Sequence, residues 1–145
     1  MLQIQKNKYG YNIQYNNKII NCLCEKCECE IPIKQIEKVW YIYIKLSHKA
    51  YEIIKQIEDD AEKNMNTNGY SFFHSLSNTN ILQVKIPYRY KKFEAEFFDI
   101  NKNRIISSDI KEFDKINVHL KCKNIYTNDS KQARLAWCTQ LIIKH

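Results

Sequence analysis

Aromatic rings alternate with positive charges directly after an apolar stretch in the second half of the chain. The run Tyr88-Arg89-Tyr90-Lys91-Lys92 sets two phenol rings among three cations. These side chains have no obvious buried partners nearby, which predicts a solvated loop. A ring face stacks on an unpaired base with roughly 1–3 kcal/mol per base, and an adjacent cation neutralises a phosphate. The run could therefore bind an unpaired polynucleotide, although a charged loop that only maintains solubility has the same pattern.

Four cysteines lie within eight residues near the N-terminus, at Cys22, Cys24, Cys27 and Cys29. The inner two have the Cys-x2-Cys spacing of a zinc knuckle, and the outer two could complete a tetrahedral set of thiolates. Zinc ribbons usually draw their two cysteine pairs from separate turns, however. Small apolar side chains along one face of a strand produce the same pattern, because free cysteine packs as a hydrophobe. A structural zinc ion and a plain buried strand therefore both remain open.

No group of residues has the spacing of an active site. With Gly10 and Gly69 as its two glycines, the sequence has no glycine-rich loop that could approach phosphate closely. The four histidines are scattered, and none forms the His-x-Glu and Cys-x2-Cys combination of zinc deaminases. We therefore expect that the protein is not an enzyme.

Short strands with a period of two residues must position the rings and cations. In residues 37–46 an apolar face that includes Trp40 alternates with Tyr41, Tyr43 and Lys45, which could form either a second packed layer or a stacking platform. Strands with similar alternation are predicted at residues 81–86, 93–98, 116–123 and 134–143. Cys122 and Cys138 lie in the last two patterns and are expected in the core.

One helix is predicted, near residues 48–64, with Ser47 as its cap. Ile54 and Ala61 follow the helical spacing of a buried face, while the acidic residues at positions 58–60 and 62 are expected to face water. Turn chemistry is present at residues 16–17, 99–103 and 127–131. Short strands, polar turns and a single helix predict a mainly β fold, a small β-barrel.

The chain has the length of one domain, and we expect a single nucleic-acid-binding domain over residues 1–145, with residues 1–36 as an N-terminal extension or hairpin. Of the net charge of +7, residues 73–145 carry +6, from 13 basic and 7 acidic side chains. The sequence shows no apolar run long enough for a membrane span or an export signal, so a cytoplasmic protein with no membrane partner is expected.

From residue 81 onward the order of motifs resembles the OB-fold single-stranded DNA-binding proteins of large cytoplasmic DNA viruses, linear cytoplasmic plasmids and phages. The resemblance covers about 65 of the 145 residues. The matching motifs, in order, are Lys-Ile-Pro-x-Arg-Tyr at 85–90, an acid-flanked strand at 93–98, Asp-x-Asn-x-Asn-x-Ile at 99–105, Asp-Lys-Ile at 114–116, Leu-Lys-x-Lys-x-Ile-Tyr at 120–126 and Lys-x-x-x-Leu-x-Trp at 131–137. Arg134 stands where a glycine is expected, and the chain ends without an acidic tail, which puts recruitment of replication partners by such a tail in doubt.

The resemblance implies an OB-fold and sequence-tolerant binding of single-stranded DNA during DNA replication, without bond-making chemistry. Trp137 alternates with Leu135 and Leu141, a pattern more typical of a buried side chain. The predicted nucleic-acid contacts are Tyr41, Tyr43, Lys45, Lys85, Tyr88, Arg89, Tyr90, Lys91, Lys92, Lys121, Lys123, Tyr126, Lys131, Arg134 and Trp137. Two alternatives are RNA binding, because stacking does not depend on the 2′-hydroxyl, and a zinc-organised protein-interaction or transcription-associated module built on the four N-terminal cysteines.

Overall fold

The computed structural model describes residues 2–7 and 10–145. Its elements in chain order are β1 (Leu2–Asn7), β2 (Gly10–Tyr15), β3 (Ile20–Ile36), β4 (Val39–Lys45), α1 (His48–Thr67), β5 (Ser71–Phe72), β6 (Ile81–Lys85), β7 (Tyr88–Arg89), β8 (Lys92–Phe93), β9 (Glu96–Asp99), β10 (Lys115–Thr127) and β11 (Gln132–Lys144), with a short 3-10 helix at Ser107–Asp109 before β10. No helix in the described ranges combines the length and apolar character that a membrane span needs.

Five strands close into a barrel. Around it the order is β3, β4, β6, β11 and β10, and β10 pairs back with β3. All of these pairings are antiparallel except the one between β6 and β11, which is parallel. The inward side chains of each strand fill the barrel, and α1 packs against the same core. This confirms the predicted mainly β, OB-fold-like class with one main helix.

The N-terminal hairpin is shorter than the sequence analysis predicted. β1 and β2 pair antiparallel, and β2 also pairs with β10, at Asn124 and Ile125. Asn16 and Asn17 have φ angles of 51° and 65° and form the predicted turn before β3. The expected extension through residue 36 is wrong for Ile20–Ile36, because this segment is a strand of the barrel itself.

The helix begins after Ser47, whose hydroxyl accepts a hydrogen bond of 3.3 Å from the backbone N–H of Ala50, as a capping residue does. It runs three residues further than predicted, to Thr67. Its buried face holds Ile54, Ile57, Ala61 and Met65 as expected, but Glu58 lies on that face too and is 0% exposed. The prediction that Glu58 faces water is wrong, because position 58 follows Ile54 by four residues and so shares its face.

A β-bulge explains the spacing of the N-terminal cysteines. Lys26 has a φ angle of 53°, and the register of β3 against β10 shifts between Cys24 and Cys27. The extra residue lets Cys24, Cys27 and Cys29 all point inward, and all three are buried. Their pattern is thus that of a bulged core strand.

The run that was predicted as a loop is a tight hairpin. β7 and β8 pair through Tyr88 with Phe93 and Arg89 with Lys92, and the turn residues Tyr90 and Lys91 have φ angles of 53° and 64°. The ring of Tyr88 packs on Trp40 and Phe93, at centroid distances of 5.7 and 5.1 Å. The hairpin is therefore anchored at the end of the barrel where β4 begins.

Candidate nucleic-acid interface

Two tyrosines project from the outer side of β4. Ile42 and Ile44 point into the barrel and are buried, so the alternating residues Tyr41 and Tyr43 must point outward, where both are partly exposed. Across the strand pair, Tyr41 lies opposite Lys85 and Tyr43 lies opposite a glutamine of β6. The predicted alternation of β4 therefore produces a row of rings beside a cation.

A hydrogen-bonded chain holds Arg134 on the same outer side. The amide of Gln83 donates a bond of 2.7 Å to the hydroxyl of Tyr43, and its carbonyl oxygen accepts a bond from Nη2 of Arg134. The same Nη2 also contacts the hydroxyl of Ser75 at 3.3 Å. The guanidinium has three further N–H groups, on Nε and Nη1, that can serve a phosphate.

Lys85 and Tyr126 form a second ring-and-cation pair on this side. The ammonium of Lys85 donates to the hydroxyl of Tyr126 at 3.3 Å and lies 5.7 Å from the ring centroid. Tyr126 is 48% exposed. Lys34 of β3 lies 5.9 Å from the ring of Tyr43, a contact that the sequence analysis missed because it joins two strands.

Three lysines surround Cys138 on the outer side of β11. Cys138 pairs with Lys121 of β10 and with Lys85 of β6. Burial raises the pKa of its thiol, and the positive charges of Lys123, Lys85 and Lys121 oppose that rise. The expectation that Cys138 belongs to the core is wrong, since it alternates with inward residues and is partly exposed.

We call this surface the strand face. It consists of outward side chains from β4, β6, β10 and β11, namely Tyr41, Tyr43, Gln83, Lys85, Lys121, Lys123, Tyr126, Arg134 and Cys138. Next to it lies an open groove of about 700 Å³, whose lining includes Tyr43, Tyr126, Arg134, Phe73 and His74. Phe73 is an exposed ring that the sequence analysis missed, although it stands beside Phe72 and His74 where the basic half of the chain begins.

The remaining predicted contacts lie apart from the strand face or near its margins. Lys45 lies across from Glu28, and the pKa of that carboxyl is lowered by Lys115 first and by Lys45 to a lesser degree. Lys131, in the turn between β10 and β11, lies 5.0 Å from the ring centroid of Tyr70.

The β7–β8 hairpin forms its own ring-and-cation surface. Tyr90 at its tip is 87% exposed, and Lys91 and Lys92 are exposed beside it. Arg89 forms an ion pair with Glu94 at 3.3 Å. The hairpin follows β6 by two residues, so it begins near Lys85 at the edge of the strand face.

Trp137 does not belong to this interface. It is 2% exposed, because β11 alternates and Leu135, Trp137 and Thr139 all point into the barrel. The prediction that Trp137 stacks on a base is wrong, since an indole in the core has no ring face to offer.

The four N-terminal cysteines do not gather as metal ligands in the described residues. In those residues, the one group of three or more potential ligands with ligand atoms within 4.8 Å of one another is Asp59, Glu62 and His74. Burial and nearby carboxylates raise the pKa of Cys29 to about 12.

Comparison with known proteins gives likeness of fold without likeness of sequence. No family model matches the sequence, and no curated protein matches it. The single-stranded DNA-binding protein from bacteriophage Enc34 is similar, with a TM-score of 0.61 and 11% identity, over 99% of this chain and 89% of that chain. Gp2.5, a single-stranded DNA-binding protein encoded by bacteriophage T7, is similar over 90% of this chain and 92% of its own, with a TM-score of 0.53 and 12% identity. At sequence identities this low, the comparison shows that the chain has the same fold as these two phage proteins.

Proposed function

We propose that this protein binds single-stranded DNA through the strand face, with little regard to sequence, and that it does so in DNA replication. The observation that carries the proposal is the convergence of Tyr41, Tyr43 and Tyr126 with Lys85 and Arg134 on one outer side of the barrel. In OB-folds the corresponding side, around the second and third barrel strands, binds oligonucleotides. Likeness of fold to two phage proteins that bind single-stranded DNA supports the same assignment.

The chemistry of the face suits unpaired strands. Phenol rings stack on any base, because every base has a π-face, and duplex DNA hides those faces within its own stack. Lysine and arginine neutralise phosphates and release counterions, which makes binding depend steeply on salt. None of these contacts reads base edges, so sequence tolerance follows.

The polar network adds preorganisation. Arg134 is held by Gln83 and Ser75 before any ligand arrives, so less side-chain freedom is lost when a phosphate binds. The β7–β8 hairpin, with Tyr90, Lys91 and Lys92 exposed, supplies a second contact region next to the face. Binding of this kind involves no bond-making step. The protein partners of such a protein would be replication proteins.

The test is a titration of fluorescein-labelled dT30 and of a matched duplex, followed by anisotropy over a salt series. We expect the single strand to bind at least tenfold more tightly than the duplex, with affinity that falls steeply as salt rises. Equal affinity for duplex and single strand, or no binding of dT30 at low salt, would overturn the proposal. Tighter binding of rU30 than of dT30 would reassign the protein to RNA.

A further inference from the structure

A mixed set of metal-ligating side chains lies at the rim of the groove, outside the strand face. The ligand atoms of Asp59, Glu62 and His74 all lie within 4.8 Å of one another. Two ligands that each bind one zinc ion at about 2.0–2.2 Å can be at most about 4.4 Å apart. In a tetrahedral site two such atoms are about 3.4 Å apart, so side-chain rotations that close the distances within the set by up to about 1.4 Å bring the three atoms onto one ion.

The fold, rather than chance proximity on one loop, builds this set. Asp59 and Glu62 are three residues apart on α1 and so share one side of the helix. His74 comes from the segment after β5, and its ring is fixed edge-on against Phe72, with centroids 5.2 Å apart at 84°. Its Nε2 lies 3.2 Å from a carboxylate oxygen of Glu62, so the imidazole nitrogen already faces the acids.

We propose that Asp59, Glu62 and His74 form a binding site for a divalent transition-metal ion such as Zn²⁺. One imidazole nitrogen and two carboxylate oxygens are a donor set that such ions accept, with water in the open position. An imidazole ligand disfavours Mg²⁺ and Ca²⁺, which take oxygen donors. The ion takes the place of two existing interactions. One is the ion pair between the ammonium of Lys55 and Asp59, at 2.7 Å, and the other is the contact between His74 and Glu62, at 3.2 Å.

Such an ion would tie two elements together. Its ligands come from α1 and from the segment that follows β5, and His74 also lines the groove beside Arg134. Mn²⁺, which favours oxygen ligands over the thiols that unfolding exposes, should raise the melting temperature because it binds the folded arrangement.

The first experiment titrates ZnCl2 into the reduced 145-residue chain by calorimetry, without nucleic acid, so its outcome is independent of the proposed function. His48 is the matched control, because it forms a His–Glu pair of the same type with Glu52 at 4.0 Å on the same helix but has no second acid. We expect His74→Ala and Glu62→Gln each to lower zinc affinity at least tenfold, and His48→Ala to leave it unchanged. Equal zinc affinity in wild type and His74→Ala would overturn the proposal.

The second experiment locates the ion independently of the cysteines. Mn²⁺ prefers oxygen ligands over thiolates, and it broadens the amide NMR signals of nearby residues. We expect broadening centred on residues 58–63 and 72–75, and its loss in His74→Ala, whose spectrum elsewhere shows that the variant is folded. Broadening centred at any other place in the spectrum would contradict the site.

Discussion

Glu58 and Leu76 are joined in the interior: the buried carboxylate accepts a hydrogen bond of 2.8 Å from the backbone N–H of Leu76. This bond ties the inner face of α1 to the segment that leads into β6. The second oxygen of Glu58 is buried with no hydrogen-bond partner in the described residues. An ionised carboxylate is therefore poorly solvated here, which costs free energy that the neutral acid does not.

The first prediction concerns pH and stability. Burial raises the pKa of Glu58 from 4.5 to about 7, so the folded protein keeps a proton that the unfolded chain releases in that range. The resulting stability is fully present below pH 4.5 and is lost as pH rises through 7. Glu58→Gln should remove that loss, which amounts to about 3 kcal/mol. Urea unfolding at pH 5 and pH 8 measures the difference.

The control for this prediction is Glu52→Gln, an exposed acid on the same helix, which should keep the wild-type pH dependence. If Glu58→Gln loses as much stability between pH 5 and pH 8 as the wild type does, Glu58 is not the group responsible.

The second prediction tests stacking. Tyr41→Ala and Tyr126→Ala should each weaken binding of dT30 by about 1–3 kcal/mol, because each removes one ring face. Tyr41→Phe keeps the ring and should bind almost as the wild type does. Tyr15→Ala removes an exposed ring on β2, away from the strand face, and should have no effect. Anisotropy titration measures all four, and equal losses in Tyr15→Ala and Tyr41→Ala would argue against a localised interface.

The third prediction tests phosphate contacts through salt dependence. The double variant Lys85→Ala with Lys121→Ala should reduce the slope of log affinity against log salt by about 1.4, since each single-strand phosphate contact contributes about 0.7. The double variant Lys49→Ala with Lys63→Ala makes the same change in net charge on exposed positions of α1. It should leave the slope near the wild-type value. A similar change of slope in both pairs would mean that net charge alone governs binding.

The fourth prediction separates the hairpin from the strand face. Replacing Arg89, Lys91 and Lys92 by alanine should weaken binding to all single-stranded sequences alike and leave the fold unchanged. Its effect should add to that of Tyr126→Ala, because the two surfaces share no described contact. If the triple variant binds with wild-type affinity, the hairpin is not part of the interface.

The fifth prediction concerns protection of Cys138 from alkylation by bound single-stranded DNA. Cys138 lies among lysines of the strand face, whereas Cys22 is partly exposed in a groove beside α1. Saturating dT30 should slow alkylation of Cys138 by iodoacetamide at least tenfold and leave Cys22 unaffected, as read by mass spectrometry of peptides. Equal protection of both thiols would indicate a global change of structure instead of coverage of one face.

The barrel was predictable where one side of a strand is apolar. The alternation in β4 and β6 is visible in the sequence, and it places Tyr41, Tyr43 and Lys85 outward. Ser47 marks the start of α1 because its hydroxyl accepts a hydrogen bond from the backbone N–H three residues later. These features depend on neighbours within a few residues, which a sequence displays directly.

Other features depend on contacts between distant segments. Helical spacing places Glu58 on the buried face, but its hydrogen-bond partner Leu76 lies eighteen residues further along the chain and is not visible in that spacing. The bulge at Lys26 arises in the pairing with β10 and makes a core strand resemble a zinc knuckle. Gln83 joins Tyr43 and Arg134 across three strands, so its role has no trace in local spacing.

Tyr41 and Tyr43 occupy alternate positions of one strand, which sets their rings about 6.6 Å apart along it. Successive bases in a double helix are about 3.4 Å apart along each strand. If each ring takes one base, the polymer must be drawn out to about twice that rise. A protein built in this way would select its ligand by extensibility, a property that paired DNA lacks and that every unpaired sequence shares.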